Sequence, residues 1–328
     1  MRFLVRRLGF LVVTAWAAIT LNFFIPRLMP GDPVQLLIAR LQQKGQITPG
    51  ATHALEVTFG LNTHTSLLVQ YFQYWGQLFH GDFGRSITFF PENVTSVMGR
   101  GLPWTLGLVG AATIISFVVG TVLGTLTGWR RGTWLDSLLP VTTFFSAVPY
   151  FWLGLHAISL FGAALGWFPL SGGFDQGVDP GFSWVFITNV LSHAVLPAVT
   201  IVLTSLAGWL LGMRNMMVTV MDEDYVMVAR AKGLRPSRVL LSYAARNAVL
   251  PSVAGFALSL SFVVSGALLV EIVFSYPGIG YDLYQAVNNE DFPLLQGIFL
   301  VITFAVLIAN FVADLLYVVL DPRTRSEG

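Results

Sequence analysis

Residues 224–239 read Asp-Tyr-Val-Met-Val-Ala-Arg-Ala-Lys-Gly-Leu-Arg-Pro-Ser-Arg-Val, and the pattern continues to Arg246-Asn-Ala-Val-Leu-Pro251. This basic interval lies between two long apolar runs. Ala229, Ala231 and the long side chains Met227, Arg230 and Lys232 favour a helix. Gly233 stops it, because glycine reaches the left-handed conformation without strain. Pro236 suits the first turn of a second helix, where its missing N–H costs nothing. Pro251 marks a joint at which the next apolar segment begins. A compact, positively charged helix–turn–helix between two apolar segments is a poor ligand pocket and a good handle for another protein.

Working outward, composition sets the solvent. Of 328 residues, 55% are apolar and 11% charged, against roughly 25% charged in a soluble domain. The chain is therefore an integral membrane protein. Its apolar runs are long and do not alternate, which excludes a barrel and leaves helices. There is no cysteine, which removes disulfides, thiolate metal sites and cysteine nucleophiles. The net charge of +1 makes nucleic acid an improbable partner.

Six spans are predicted. Arg2, Arg6 and Arg7 precede the first, Leu8 to Ile25; the run is too long for a signal-peptide core and reads as an uncleaved span. A long polar interval to about Arg100 follows and should carry its own structure. Within it Leu67, Leu68, Tyr71, Phe72, Trp75, Leu78 and Phe79 recur at helical spacing, a face suited to a membrane interface or to packing on neighbouring spans. The second span runs from about Pro103 to Gly128, with Gly120, Gly124 and Gly128 on one close-packing face. The third runs from about Leu138 to Leu165, bent at Pro140 and Pro149. The fourth covers about Val190 to Met213, with a kink at Pro197 and a second small pair, Gly208 and Gly212. The fifth runs from about Ser252 to Phe274, and the sixth from about Leu294 to Leu316.

Charge fixes the orientation. In a six-span arrangement thirteen basic residues, from Arg2, Arg6 and Arg7 through Arg130, Arg131 and Arg230 to Arg323 and Arg325, fall on one side. Only Arg27, Arg40, Lys44, Arg85 and Arg100 fall on the other. Basic loops stay in the cytoplasm. Both termini and the basic handle are thus cytoplasmic, and the segment after the first span is outside. The predicted organisation is an N-terminal span (1–30), an extracytoplasmic segment (31–100) and a five-span core (101–328), with the handle at about 222–250.

No catalytic constellation appears. Neither lysine, Lys44 or Lys232, follows a glycine, so no phosphate-cradling loop is present. The five histidines are scattered without metal-binding spacing, and no Gly-x-Ser-x-Gly elbow occurs. The chain is expected not to be an enzyme and to hold no cofactor or metal.

Ala229, Gly233 and Leu250-Pro251 stand at the spacing of the EAA signature of ABC importer permeases. The leading acid of that signature is replaced by Val228, with Asp222, Glu223 and Asp224 further back. The whole stretch resembles the dipeptide/oligopeptide/nickel branch, and its first-permease subunit in particular. Pro30-Gly-Asp-Pro-Val34, Gly81-Asp-Phe-Gly-Arg-Ser86, Pro149-Tyr-Phe-Trp-Leu-Gly154, Ser275-Tyr-Pro-Gly-Ile-Gly280 and Asp321-Pro-Arg323 also resemble elements of that family. The resemblance implies one of two homologous permeases in the plasma (inner) membrane of a prokaryote. Two cytoplasmic P-loop ATPases holding ATP and Mg2+ would drive the pair, and an extracytoplasmic binding protein would deliver the substrate. It assigns ATPase coupling to Asp224, Tyr225, Ala229, Arg230, Lys232, Gly233, Leu234, Arg246, Asn247, Leu250 and Pro251. Di- and oligopeptides are the usual cargo of the branch; oligosaccharides and nickel are the alternatives.

Ionisable residues inside spans tend to face an aqueous path or a partner. Glu271 near the outer end of the fifth span is either a pathway group or, the preferred reading, an interfacial group or a hydrogen-bond partner of the Ser275–Gly280 turn. Asp314 near the inner end of the sixth reads more readily as the partner of a cytoplasmic arginine than as a proton relay. Pro149 is a gating candidate. A gradient-driven secondary transporter, the competing class, calls for paired membrane acids and internal repeats. Neither is evident.

Overall fold

The computed structural model describes residues 2–28, 66–259, 263 and 268–320, with the backbone alone for 2–6, 26–27 and 313–320. The first half of the predicted outer segment, its Pro30–Val34 motif and the closing Asp321-Pro-Arg323 lie outside the described residues. Their regular structure is helical, joined by turns and loops, with one isolated antiparallel bridge between Arg85 and Asn93. In chain order the helices are α1 (Arg2–Leu28), α2 (Leu67–Phe79), α3 (Val94–Trp129), α4 (Leu138–Ala147), α5 (Tyr150–Ala157), α6 (Trp184–Met221), α7 (Asp224–Ala231), α8 (Pro236–Arg238), α9 (Arg246–Ser259), α10 (Leu268–Val273), α11 (Ile279–Asn288) and α12 (Phe292–Leu320). A 3-10 turn, Trp134–Ser137, leads into α4, and wide π-type turns, Ile158–Ala164 and Val239–Ala245, extend α5 and α8.

Four of these helices are long and apolar enough to cross a bilayer: α1, α3, α6 and α12. A fifth crossing arises if Trp134–Ala147 and Tyr150–Ala164 count as one span, bent by 97°. That bend sits at Val148-Pro149, where Val148 is extended (φ −80°, ψ 129°), the conformation that a following proline favours. Pro140 was expected to bend the chain as well and does not. It is the third residue of α4, a position whose amide has no intrahelical partner to lose. The spans also run beyond the predicted limits: α3 starts at Val94 and passes through Pro103, and α6 extends from Trp184 to Met221 through Pro197. Pro251 is not a boundary either, since α9 runs through it. The predicted fifth span is described as two helices, α9 and α10, with 260–262 and 264–267 outside the described residues.

The chain divides into two compact units. One comprises residues 1–104 and 278–307, the other 105–277 and 308–328. In the first, Asn22 on α1 and Gln296 on α12 exchange side chain-to-backbone hydrogen bonds of 2.8 and 2.9 Å. Gly297 meets α3 so closely that a Cβ there would lie 2.6 Å from Val94 Cγ1. In the second unit α3 is laid on α6 through the glycine stripe. A Cβ on Gly120, Gly124 or Gly128 would come within 2.5 Å of Trp209 Cβ, the Leu210 carbonyl oxygen or Met217 Cβ respectively. Small residues allow this approach, which replaces the hydrophobic drive that lipid cannot supply. Gly208 and Gly212 differ: both are exposed, and among the described residues nothing lies within 4 Å of either added Cβ.

Candidate functional site

The handle is built at the end of α6. Asp222 closes that helix and Glu223 occupies the N-cap of α7, with Asp224 in its first turn, where a carboxylate suits the positive end of the helix dipole. The last turn closes with Lys232 N–H donating to the Val228 carbonyl and Gly233 N–H to that of Arg230, at 3.0 and 2.9 Å. Gly233 then takes φ = 70°, which a side chain would resist. Pro236 opens α8 at its first position.

The element has two faces. Inward, Val226, Ala229, Val239, Ala244 and Ala248 are buried in one cluster with Met213, Met217 and Val220 of α6. Outward, Tyr225, Met227, Val228, Lys232, Arg246, Asn247 and Leu250 are exposed, as are Asp224, Arg230, Gly233 and Pro251; Leu234 is half-buried. The sequence assigned the coupling residues as one set, and the structure divides them. Ala229 is an anchor, and most of the rest project outward. Arg230 does some of both, with its guanidinium 5.5 Å over the Trp129 ring and Nη2 3.3 Å from Met221 Sδ. A second tie joins the preceding loop to α6: Arg214 and Asp136 form an ion pair at 3.7 Å, and Asp136 also accepts from the Gly132 amide at 2.6 Å.

Glu271 is fully buried, and its Oε1 accepts from Thr105 Oγ1 at 2.7 Å. The expected link to the following turn exists through the backbone, with Tyr276 N–H donating to the Glu271 carbonyl at 2.8 Å. Tyr276, beyond the end of α10, has its phenol pushed up to about 12 by burial and then by the Glu271 charge. Pro149 caps α5 at the bend. The Asp314 side chain lies outside the described residues. His156 Nδ1 and His193 Nδ1 each sit 2.9 Å from the carbonyl four residues earlier, and His193 Nε2 lies 3.5 Å from Asp175.

One buried acid escaped the sequence reading. Asp291, fully buried, accepts from Ser86 Oγ at 2.5 Å, the Thr88 amide at 2.8 Å and the Leu294 amide at 3.1 Å. It caps α12 and clasps the end of the Gly81–Ser86 stretch to it. An acid just before an apolar run is a cap signal, but its partner more than two hundred residues earlier left no local trace. Among the described residues no three histidine, aspartate or glutamate side chains group as metal ligands.

Comparison with known proteins agrees with this architecture. Residues 120–326 match the family described as binding-protein-dependent transport system inner membrane component. The di/tripeptide transport system permease protein DppB of Pseudomonas aeruginosa is 35% identical, over 99% of both chains. The probable D,D-dipeptide transport system permease protein DdpB of Escherichia coli is 34% identical, over 98% of this chain and 96% of its own. The oligopeptide transport system permease protein AppB of Bacillus subtilis is 31% identical, over 92% of each. The chain therefore belongs to the binding-protein-dependent transport system inner membrane components, a family of transport permeases rather than enzymes.

Proposed function

We propose that this chain is one of two homologous permease subunits forming the pore of an ATP-driven importer for di- and oligopeptides. An extracytoplasmic binding protein presents the peptide, and two cytoplasmic P-loop ATPases supply the motion. The cargo follows from the relatives, whose names specify di/tripeptides, D,D-dipeptides and oligopeptides. The six-span topology, both termini cytoplasmic, in a prokaryotic plasma membrane, and the division at residues 30 and 100, follow from the charge distribution and the family resemblance.

The two-faced handle carries the mechanism. Its inner face is locked to the base of α6, and its outer face is open to a partner. A force on the outer face is passed to a span instead of being absorbed by a loose loop. Closure of the ATPases on ATP pushes α7 and α8. The attached spans then turn the pore from inward-facing to outward-facing, with Pro149 at the 97° bend as a hinge and Glu271 and Asp314 beside the path or its gates.

The test is Gly233→Val in the reconstituted complex. A β-branched residue at φ = 70° reshapes the handle while leaving the spans intact. ATP hydrolysis should persist while labelled-peptide uptake is lost. Normal uptake by a correctly inserted variant would remove the coupling role. Uptake of peptide driven by a proton gradient without ATP would remove the importer reading altogether.

A further inference from the structure

The helix α2 is unaccounted for by transport itself. It is 13 residues long, about 20 Å at 1.5 Å per residue, too short to span a bilayer. It contains no charged residue and buries none of its side chains fully. At 3.6 residues per turn its side chains fall on three sides. Tyr71 and Tyr74 face α1: the Tyr71 hydroxyl lies 2.7 Å from Thr20 Oγ1, and Asn22 Nδ2 donates to the Tyr74 hydroxyl at 3.2 Å. Gln70, Gln73 and Gln77 form a polar side. Leu68, Phe72 and Phe79 form a third, nearly opposite the glutamines, and they are 71%, 70% and 81% exposed.

What covers this third side follows from its surroundings. It continues the bare apolar surface of a spanning helix. Phe24 of α1 is 41% exposed and stacks on Tyr71 with centroids 6.5 Å apart. Tyr71 in turn contacts Phe72 at 5.9 Å and Trp75 at 6.3 Å, and Trp75 contacts Phe79 at 5.8 Å. The contacts also fall at the right height. The apolar part of α1 runs from Arg7 to Ile25, 19 residues, or about 28 Å, close to one hydrocarbon thickness. The residues that hold α2 (Thr20, Asn22, Phe23 and Phe24) are in its last turns, where the hydrocarbon ends.

We propose that α2 is an interfacial helix, lying along the membrane surface with Leu68, Phe72 and Phe79 among lipid acyl chains and its glutamines toward water. Its partner is the bilayer, recognised by apolar area and aromatic rings without regard to headgroup charge. It anchors the end of the first span at a fixed depth.

The chain has no cysteine, so single labels can be placed cleanly. Leu68→Cys, Phe72→Cys, Gln73→Cys and Gln77→Cys would each carry a nitroxide in the full chain, purified with its co-purifying subunits in lipid nanodiscs. Accessibility to molecular oxygen and to a water-soluble nickel chelate is then read by electron paramagnetic resonance. The expected result is an oxygen-to-nickel ratio several-fold higher at 68 and 72 than at 73 and 77. Two positions on each side keep the comparison readable if one variant fails to assemble. Access of the nickel chelate to all four places the helix in water and overturns the proposal. Protection of 68 and 72 from both reagents places a protein there and overturns it too.

Discussion

Gly124 of α3 rests on the carbonyl of Leu210 in α6, where an added Cβ would lie 2.5 Å from the oxygen. That obstacle is backbone, so it cannot swing aside as a side-chain tip would. Gly124→Val should force the helices apart at a cost of about 1–3 kcal/mol, seen as a lower melting temperature in detergent. Gly208→Val should leave that temperature unchanged, because among the described residues nothing lies within 4 Å of an added Cβ there.

The two faces of the handle should respond differently to truncation. Met217 is fully buried beneath it, and Met217→Ala should cost about 2–5 kcal/mol of stability. Tyr225, on α7, is exposed; Tyr225→Ala should change stability by less than about 0.5 kcal/mol. Thermal melting gives the first comparison. Retention of the ATPase subunits on a tagged permease gives the second, and there Tyr225→Ala should show the larger loss.

For Glu271 the decisive contrast is between isosteres. Glu271→Gln keeps a carbonyl oxygen for Thr105 Oγ1 and should assemble normally. Glu271→Leu leaves that buried hydroxyl without this acceptor, at about 1–3 kcal/mol. Adding Thr105→Val should recover part of the loss, because the donor is removed as well. Equal stability of Glu271→Leu and Glu271→Gln would show that the bond contributes nothing.

Tyr276 gives a pH dependence with a definite sign. Its phenol is raised from 10.0 to about 12 in the folded chain, so between these values the folded state holds a proton that the unfolded state has released. Stability therefore falls as pH rises from about 10 and goes on falling until about 12. Absorbance titration of the folded protein should show one tyrosine ionising late, and that step should vanish in Tyr276→Phe. A wild-type titration identical to the variant's, scaled for one tyrosine fewer, would count against the burial argument.

Sequence spacing revealed the parts of this fold that are local. The stop at Gly233 and the start at Pro236 are each set by one residue's backbone chemistry within one turn, and the Gly120–Gly128 stripe by three glycines four apart on one helix. Proline was the weaker guide. Val148-Pro149 breaks the chain, but α3 and α9 run through Pro103 and Pro251, because a long packed helix can tolerate one missing hydrogen bond. Gly208 and Gly212 have the same spacing as the stripe on α3 and no close neighbour among the described residues, so spacing alone does not say whether a close-packing face is used. Glu271 and Asp291 show the remaining limit. An isolated acid in an apolar run is visible, but Thr105 and Ser86 become its neighbours only through folding, at sequence separations that no local pattern records.

The handle keeps its anchoring and its outward display on opposite sides of the same short helix. Under the proposed coupling, a lineage could redraw the surface offered to its motor, residue by residue at Tyr225, Met227, Val228 and Lys232, without disturbing the plug formed by Val226 and Ala229. Sister importers in one cell could then share a common architecture and still reject each other's ATPases. Drift on the outer side would change which motor is accepted, and drift on the inner side would be removed by selection for folding.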